Sequence, residues 1–197
     1  MSAPATAELP ESLTQIIDDF NAVGPQDRLQ LLLEFSRDLA PLPARYADHP
    51  ELLEPVPECQ SPIFLITEVE GTGEEAIVRL HFSAPPEAPT TRGFAGILHE
   101  GLDGLPVAQV LAVPNDFSSM LALEEAVSPL RLRGLAAMLT RIKRQAAEQS
   151  AAAGCGRPPR RGPGPDLGRG RPPEQAPGRL DPGSDGALEV SGVGSGG

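Results

Sequence analysis

The sequence predicts an α+β domain in which a small antiparallel sheet carries helices packed mainly on one face. Three observations predict it: two amphipathic helical patterns come first, two strand patterns joined by glycines follow, and several further helical patterns come after them. No internal repeat interrupts that order.

Leu13, Ile16, Ile17 and Phe20 fall at helical spacing after Pro10, so a first helix is expected over roughly Pro10 to Ala22, broken by Gly24 and Pro25. Pro25 suits the first position of a second helix, with Leu29, Leu32, Leu33 and Leu39 on one face and a stop before Pro41 and Pro43. The stretch from Pro41 to Pro57 shows no lasting period and reads as loop. Ile63 to Val69 is rich in β-branched residues, and Ala76 to Ser83 alternates with Val78, Leu80 and Phe82 on one side. Gly71 and Gly73 between them supply the positive φ values of a hairpin turn. The pattern shows no obvious third strand.

Thr90 to Glu100 reads as a helix with Phe94, Ile97 and Leu98 inward, and Gly93 and Gly96 suggest close approach to another element. Pro106 to Leu111 and Asp116 to Val127 are expected to be short helices, the second capped by Asp116. Ser128 and Pro129 open the clearest helix, with a buried stripe of Leu132, Leu135, Met138, Leu139 and Ile142. Arg131, Arg133, Arg141, Lys143 and Arg144 are placed mainly outside that stripe.

Composition divides the chain. From Ser150 onward 48 residues hold 13 Gly and 8 Pro, too few apolar side chains to offset the entropy of ordering, so residues 8–149 are expected to form the domain and 150–197 a disordered tail. The first 149 residues hold 22 acidic and 10 basic side chains. Such a surface repels phosphate backbones and anionic headgroups, which argues against nucleic acid and membrane and for a basic protein partner. Met1 to Leu13 has no basic stretch leading into an apolar run, and no apolar run approaches bilayer-spanning length. Two cysteines, Cys59 and Cys155, make no disulfide framework, so the expected compartment is a reducing cytoplasm.

Cys59 lies in Glu54-Pro55-Val56-Pro57-Glu58-Cys59-Gln60-Ser61-Pro62, immediately before the first strand pattern. The residues alone leave two readings open, a small buried hydrophobe or a reactive thiol on a proline-stiffened loop. Glu58 opposes ionisation, and with no Lys or Arg nearby in sequence an activating cation has to come from the fold or a partner. A cluster or zinc site needs three or four convergent ligands, whereas Cys59 is alone in the domain and His49, His81 and His99 are scattered. A Cys-His hydrolase would need one of those histidines to meet Cys59 in space, and no helix opens directly after the cysteine to favour its thiolate.

At this loop the chain resembles the SufE and CsdE family of desulfurase partners, whose acceptor cysteine sits in a Gly-Cys-Gln-Ser type of segment, here Glu58-Cys59-Gln60-Ser61. Glu87-Ala88-Pro89-Thr90-Thr91-Arg92-Gly93 is similar to the family's Asp-x-Pro-x-x-Arg/Lys-Gly, with Glu87 for Asp. Ser128-Pro129-Leu130-Arg131-Leu132-Arg133-Gly134-Leu135 is similar to its Thr/Ser-Pro-x-Arg-x-x-Gly-Leu helix start. The resemblance covers roughly residues 8 to 148. It implies a fold shared with IscU-like scaffolds and a bacterial sulfur carrier without a cofactor of its own. In that role Cys59 takes persulfide sulfur from a SufS-like cysteine desulfurase, stimulates it, and passes sulfur to a SufB-like iron-sulfur scaffold or into another thiolation pathway. It further implies partner contacts at Arg131, Glu87, Arg92 and Gln60, and is compatible with a homodimer.

Overall fold

The computed structural model describes residues 9–154. Of the tail expected over residues 150–197, the part from 155 onward, Cys155 included, lies outside the described residues.

Helix α1 spans Glu11–Ala22 and buries Leu13, Ile16 and Phe20, as its spacing requires. Helix α2 runs Pro25–Asp38 with Pro25 in its first turn. Its buried face is Leu32, Phe35 and Ser36, continued by Leu39, while Leu29 is exposed, so the inward face is rotated towards Phe35 from the expected one. The segment expected to be loop holds a short helix α3, Ala44–Ala47, a single 3-10 turn at Pro50–Leu52, and a two-residue strand β1, Glu54–Pro55. Strand β1 pairs antiparallel with β2, Phe64–Glu70, which pairs antiparallel with β3, Ile77–Ser83. Sheet order is therefore β1-β2-β3, a third strand that the pattern did not show. Pro55 is tolerated because β1 is an edge strand, where the missing N–H leaves no ladder bond unmade. The β2-β3 turn passes through Gly71 at φ +102° and Gly73 at φ +75°, the left-handed values expected of it.

Leu65, Thr67, Val78, Leu80 and Phe82 turn inward from the sheet. Against this face pack α4, Pro89–Leu102, and α6, Pro129–Gly154, with α5, Val107–Ala112, alongside α6. Over the outer face lie the short α3 and its flanking residues Leu42, Pro50 and Leu53, and there Tyr46 and Arg45 bond Glu68 and His81 stands 2.9 Å from Glu68. Helices thus pack mainly on one face. The close approach expected of the α4 glycines is real: a Cβ on Gly93 would stand 2.4 Å from the Leu32 carbonyl oxygen, and one on Gly96 2.3 Å from that of Phe35. Helix α4 is consequently seated backbone to backbone on α2.

Two expectations are corrected. Asp116 to Val127 is a 3-10 turn, Phe117–Leu121, ended by Ala122 in the left-handed region at φ 49°, and Asp116 makes no side-chain cap. The apolar residues there are buried as expected, but Phe117, Leu121 and Leu123 reach the core from a tight turn and not from a helix. Secondly, α6 continues past Gln149 to Gly154, and Ser150 Oγ donates to the Gly73 carbonyl at 2.9 Å. Among the described residues no helix is long and apolar enough to cross a membrane.

Candidate functional site

The short strand β1 decides where Cys59 stands. Val56 N–H donates to the Ile63 carbonyl at 3.0 Å, closing the connection between β1 and β2, and Cys59 N–H donates to the Val56 carbonyl at 3.1 Å. Residues between these bonds form a tight loop with the cysteine near its tip. Val56 and Ile63 are buried and anchor the loop's base, whereas Glu58 and Gln60 are exposed and Cys59 is partly buried.

The thiol leans on α6. Gly134 is buried, and a Cβ placed there would be 2.7 Å from Cys59 Sγ, so the sulfur occupies space that any other residue's side chain would need. Glycine inside a helix costs about 0.5–1 kcal/mol relative to alanine, and this packing gives a local reason for carrying it. In front of the cysteine opens a pocket of about 280 Å³, lined by Cys59, Gln60 and Ser61 from the loop, by Glu87 to Thr91 and Phe94 from the start of α4, and by Arg131 from α6. Arg131 Nε donates to Gln60 Oε1 at 3.1 Å, bridging helix and loop.

Four of the five site residues expected from sequence therefore meet in one place: Cys59, Gln60, Glu87 and Arg131. Arg92 is placed differently. Its guanidinium donates to the Ser36 carbonyl at 3.2 Å and the Ala84 carbonyl at 3.0 Å, stitching α4 to the end of α2 and to the segment after β3. The histidines also lie elsewhere: His49 pairs with Glu51, His81 with Glu68, and none of the three lines the pocket. No histidine among the described residues is thus brought to the Cys59 pocket to form a Cys-His dyad. Among the described residues no group of three or more His, Cys, Asp or Glu side chains converges as metal ligands would.

The sequence assigns Arg141 no role, placing it with four other cations mainly outside the buried stripe. Arg141 is largely buried against the loop, its side chain 17% exposed, with Nη2 3.0 Å from Glu58 Oε2 and Nη1 donating to the Ala137 carbonyl at 3.2 Å. Its Nε lies 3.2 Å from Glu54 Oε1 without directing a hydrogen bond at it, so that contact is one of charge alone. Arg144 and Gln145 complete the grip on Glu54. Burial alone would raise the Glu54 carboxyl, but hydrogen bonds from Gln145 and Arg144 outweigh it and hold the group below its ordinary range. Spacing held a signal: positions 134, 141, 145 and 149 recur at helical intervals beside the apolar stripe. Gln145 and Gln149 on that face stand in for a missing strand. Beyond its two paired residues β1 leaves the edge of β2 open, and there Thr67 N–H donates to Gln145 Oε1 at 2.7 Å and Val69 N–H to Gln149 Oε1 at 3.1 Å.

The fold thus supplies the cation that the sequence around Cys59 lacks, yet it does not dominate. Burial pushes the Cys59 thiol up to about 11, Glu58 adds to the rise, and Arg141 opposes it only weakly. The resting sulfur is a protonated thiol at neutral pH.

Comparison with known proteins fits this arrangement. The family model described as "SufE: Fe-S metabolism associated domain" matches residues 14–146. An uncharacterized SufE-like protein of Mycobacterium tuberculosis is 54% identical over 148 residues, covering 75% of this chain and 99% of its own length. Another from Rhizobium etli is 32% identical over 143 residues, covering 72% of this chain and 93% of its own. The solution structure of a hypothetical protein from Thermus thermophilus superposes with a TM-score of 0.64 at 40% identity, covering 73% of this chain and 99% of that one.

Proposed function

The chain belongs to the SufE family, and on that premise we propose that Cys59 accepts sulfur from the persulfide of a SufS-like cysteine desulfurase and passes it to a SufB-like scaffold for iron-sulfur cluster assembly. Membership itself carries a sulfur-transfer role in iron-sulfur metabolism. The observation that supports the finer reading is the position of Cys59, on a tight protruding loop facing a pocket that holds Arg131, Gln60 and Glu87.

The step is a thiol exchange. Cys59 as thiolate attacks the outer sulfur of the donor persulfide, the donor's S–S bond breaks, and a new bond forms between that sulfur and Cys59 Sγ. The donor cysteine leaves as thiolate and takes up the proton that Cys59 gave up. Reactants and products balance without an outside oxidant or reductant. Because the resting thiol is held protonated, productive attack needs the loop to present its sulfur and a partner cation to lower its pKa. The acidic surface of residues 1–149 favours a partner with a basic docking face. Exposed Glu87 at the pocket is placed to meet it, while Gln60 and Arg131 offer polar and cationic groups to its carbonyls or carboxylates. The functional unit is the domain expected over residues 8–149, carried by α6 through Gly154.

Incubating the protein with a desulfurase and cysteine, then weighing it intact, tests the assignment. One added sulfur atom on Cys59, absent from Cys59→Ser, is the expected result. Equal sulfur uptake by Cys59→Ser would overturn it.

A further inference from the structure

The face of α6 that meets the cysteine loop carries one residue without a side chain, Gly134. A Cβ built on it stands 2.7 Å from Cys59 Sγ but 3.7 Å from Cys59 Cα and 3.8 Å from its Cβ. The last two distances are ordinary van der Waals contacts. The clash is confined to the sulfur, the end of a side chain that turns about a single bond. Beside this contact lies the 280 Å³ pocket, which Cys59, Gln60 and Arg131 help to line.

We propose that Gly134 is a positioning residue for sulfur transfer: its missing side chain is a berth in which the Cys59 sulfur rests withdrawn against α6, and filling the berth turns the sulfur out into the pocket. The functional meaning of the berth rests on reading Cys59 as the sulfur acceptor, whereas the berth itself is a matter of packing. Two positions of one side chain then have separate roles. Withdrawn, the thiol is kept from water and stays protonated, which shields it from small alkylating and oxidising molecules. Turned out, it faces the residues nearest an incoming persulfide. The neighbours of Gly134 form no part of the berth, since Arg133 is exposed and Leu135 is buried in the core.

The test uses the full chain with Cys155→Ser, so that alkylation reports Cys59 alone. In Gly134→Ala the expected rate of reaction with iodoacetamide at neutral pH rises roughly a hundredfold, because a thiol returned to water regains ordinary acidity. The apparent pKa of that reaction should fall from about 11 towards the ordinary thiol range. A thermal-melt cycle guards against a merely damaged fold. With Cys59→Ala in place, Gly134→Ala meets no sulfur and should raise the melting temperature, as alanine replaces glycine inside a helix. With Cys59 present, the same substitution should raise it less or lower it. Unchanged alkylation together with equal melting shifts in both backgrounds would overturn the berth, and so would unfolding of Gly134→Ala in both. Unfolding only when Cys59 is present supports it. None of these readouts needs a desulfurase, so a protein that passes them yet gains no sulfur would defeat the acceptor reading and leave the berth standing.

Discussion

Arg141 on α6 grips Glu58, the residue immediately before the cysteine, with Nη2 3.0 Å from Oε2 across a separation of 83 positions. The pair ties the cysteine loop to α6 by charge while the Val56 to Ile63 bond closes it through backbone.

Arg141→Met keeps most of the aliphatic stem and removes the charge. Partly exposed ion pairs of this kind are worth about 1 kcal/mol or less each, so a small fall in melting temperature is expected. The sulfur then loses its one opposing cation and keeps Glu58 beside it, so alkylation of Cys59 at fixed pH should slow. Faster alkylation in the Cys155→Ser background would show instead that the pair had been holding the loop shut.

The raised thiol also fixes a sign in alkaline stability. A group whose folded pKa lies above its unfolded value gives stability that is intact below the unfolded pKa and lost as pH rises through the folded one. For Cys59 that window opens near the ordinary thiol value of 9.0 and closes near 11. Tyr46, pushed up to about 12 by burial and its bond to Glu68, acts in the next window above. Chemical denaturation of wild type and Cys59→Ser should show the wild type losing more stability between pH 9 and pH 11, and parallel curves would refute the burial of the thiol.

Gln145→Ala removes the acceptor of the Thr67 N–H at the edge of β2, and a buried donor left unmatched costs about 1–3 kcal/mol. Thr67→Val points the other way. Thr67 is fully buried and its hydroxyl has no hydrogen-bond partner, so a methyl in its place should stabilise the domain by about 1 kcal/mol. Opposite shifts of melting temperature in the two variants are the expected outcome.

Arg131→Ala takes an exposed guanidinium from the rim of the pocket, where its bond to Gln60 adds little to stability. Melting temperature should stay within a degree or two of wild type, as surface substitutions are usually within about 0.5 kcal/mol. Desulfurase stimulation should weaken several-fold if the planar head anchors a partner group. Titrating desulfurase activity beside a thermal melt separates the two effects, and unchanged stimulation would leave Arg131 as a surface residue.

Local periodicity carried the helices other than α3 and the β2-β3 hairpin, and the two α4 glycines revealed a tight helix contact without its partner being known. Strand β1 was invisible because two residues, one of them proline, have no period; only the open edge of β2 gives them a partner. Phe117, Met120, Leu121 and Leu123 mimicked helical spacing, but the 3-10 turn ends at Leu121 and the left-handed Ala122 turns the chain so that Leu123 is also buried. At the site, Cys59, Gln60, Glu87 and Arg131 followed from motif resemblance, whereas Arg141 depends on a pairing that no stretch of neighbouring residues records. Arg92 sat in a matching motif yet serves the joint between α2 and α4.

That joint shapes how the pocket can open. One of its walls is the beginning of α4, locked to α2 where Gly93 and Gly96 admit the carbonyls of Leu32 and Phe35. The facing wall is the loop tip, residues 57–62, held down by side-chain charges and a single sulfur lodged against a helix. The site is a vice with one fixed jaw. Any movement that widened it would lift the cysteine side against the contacts of Glu58 and Gly134, with the α4 side as the fixed reference surface.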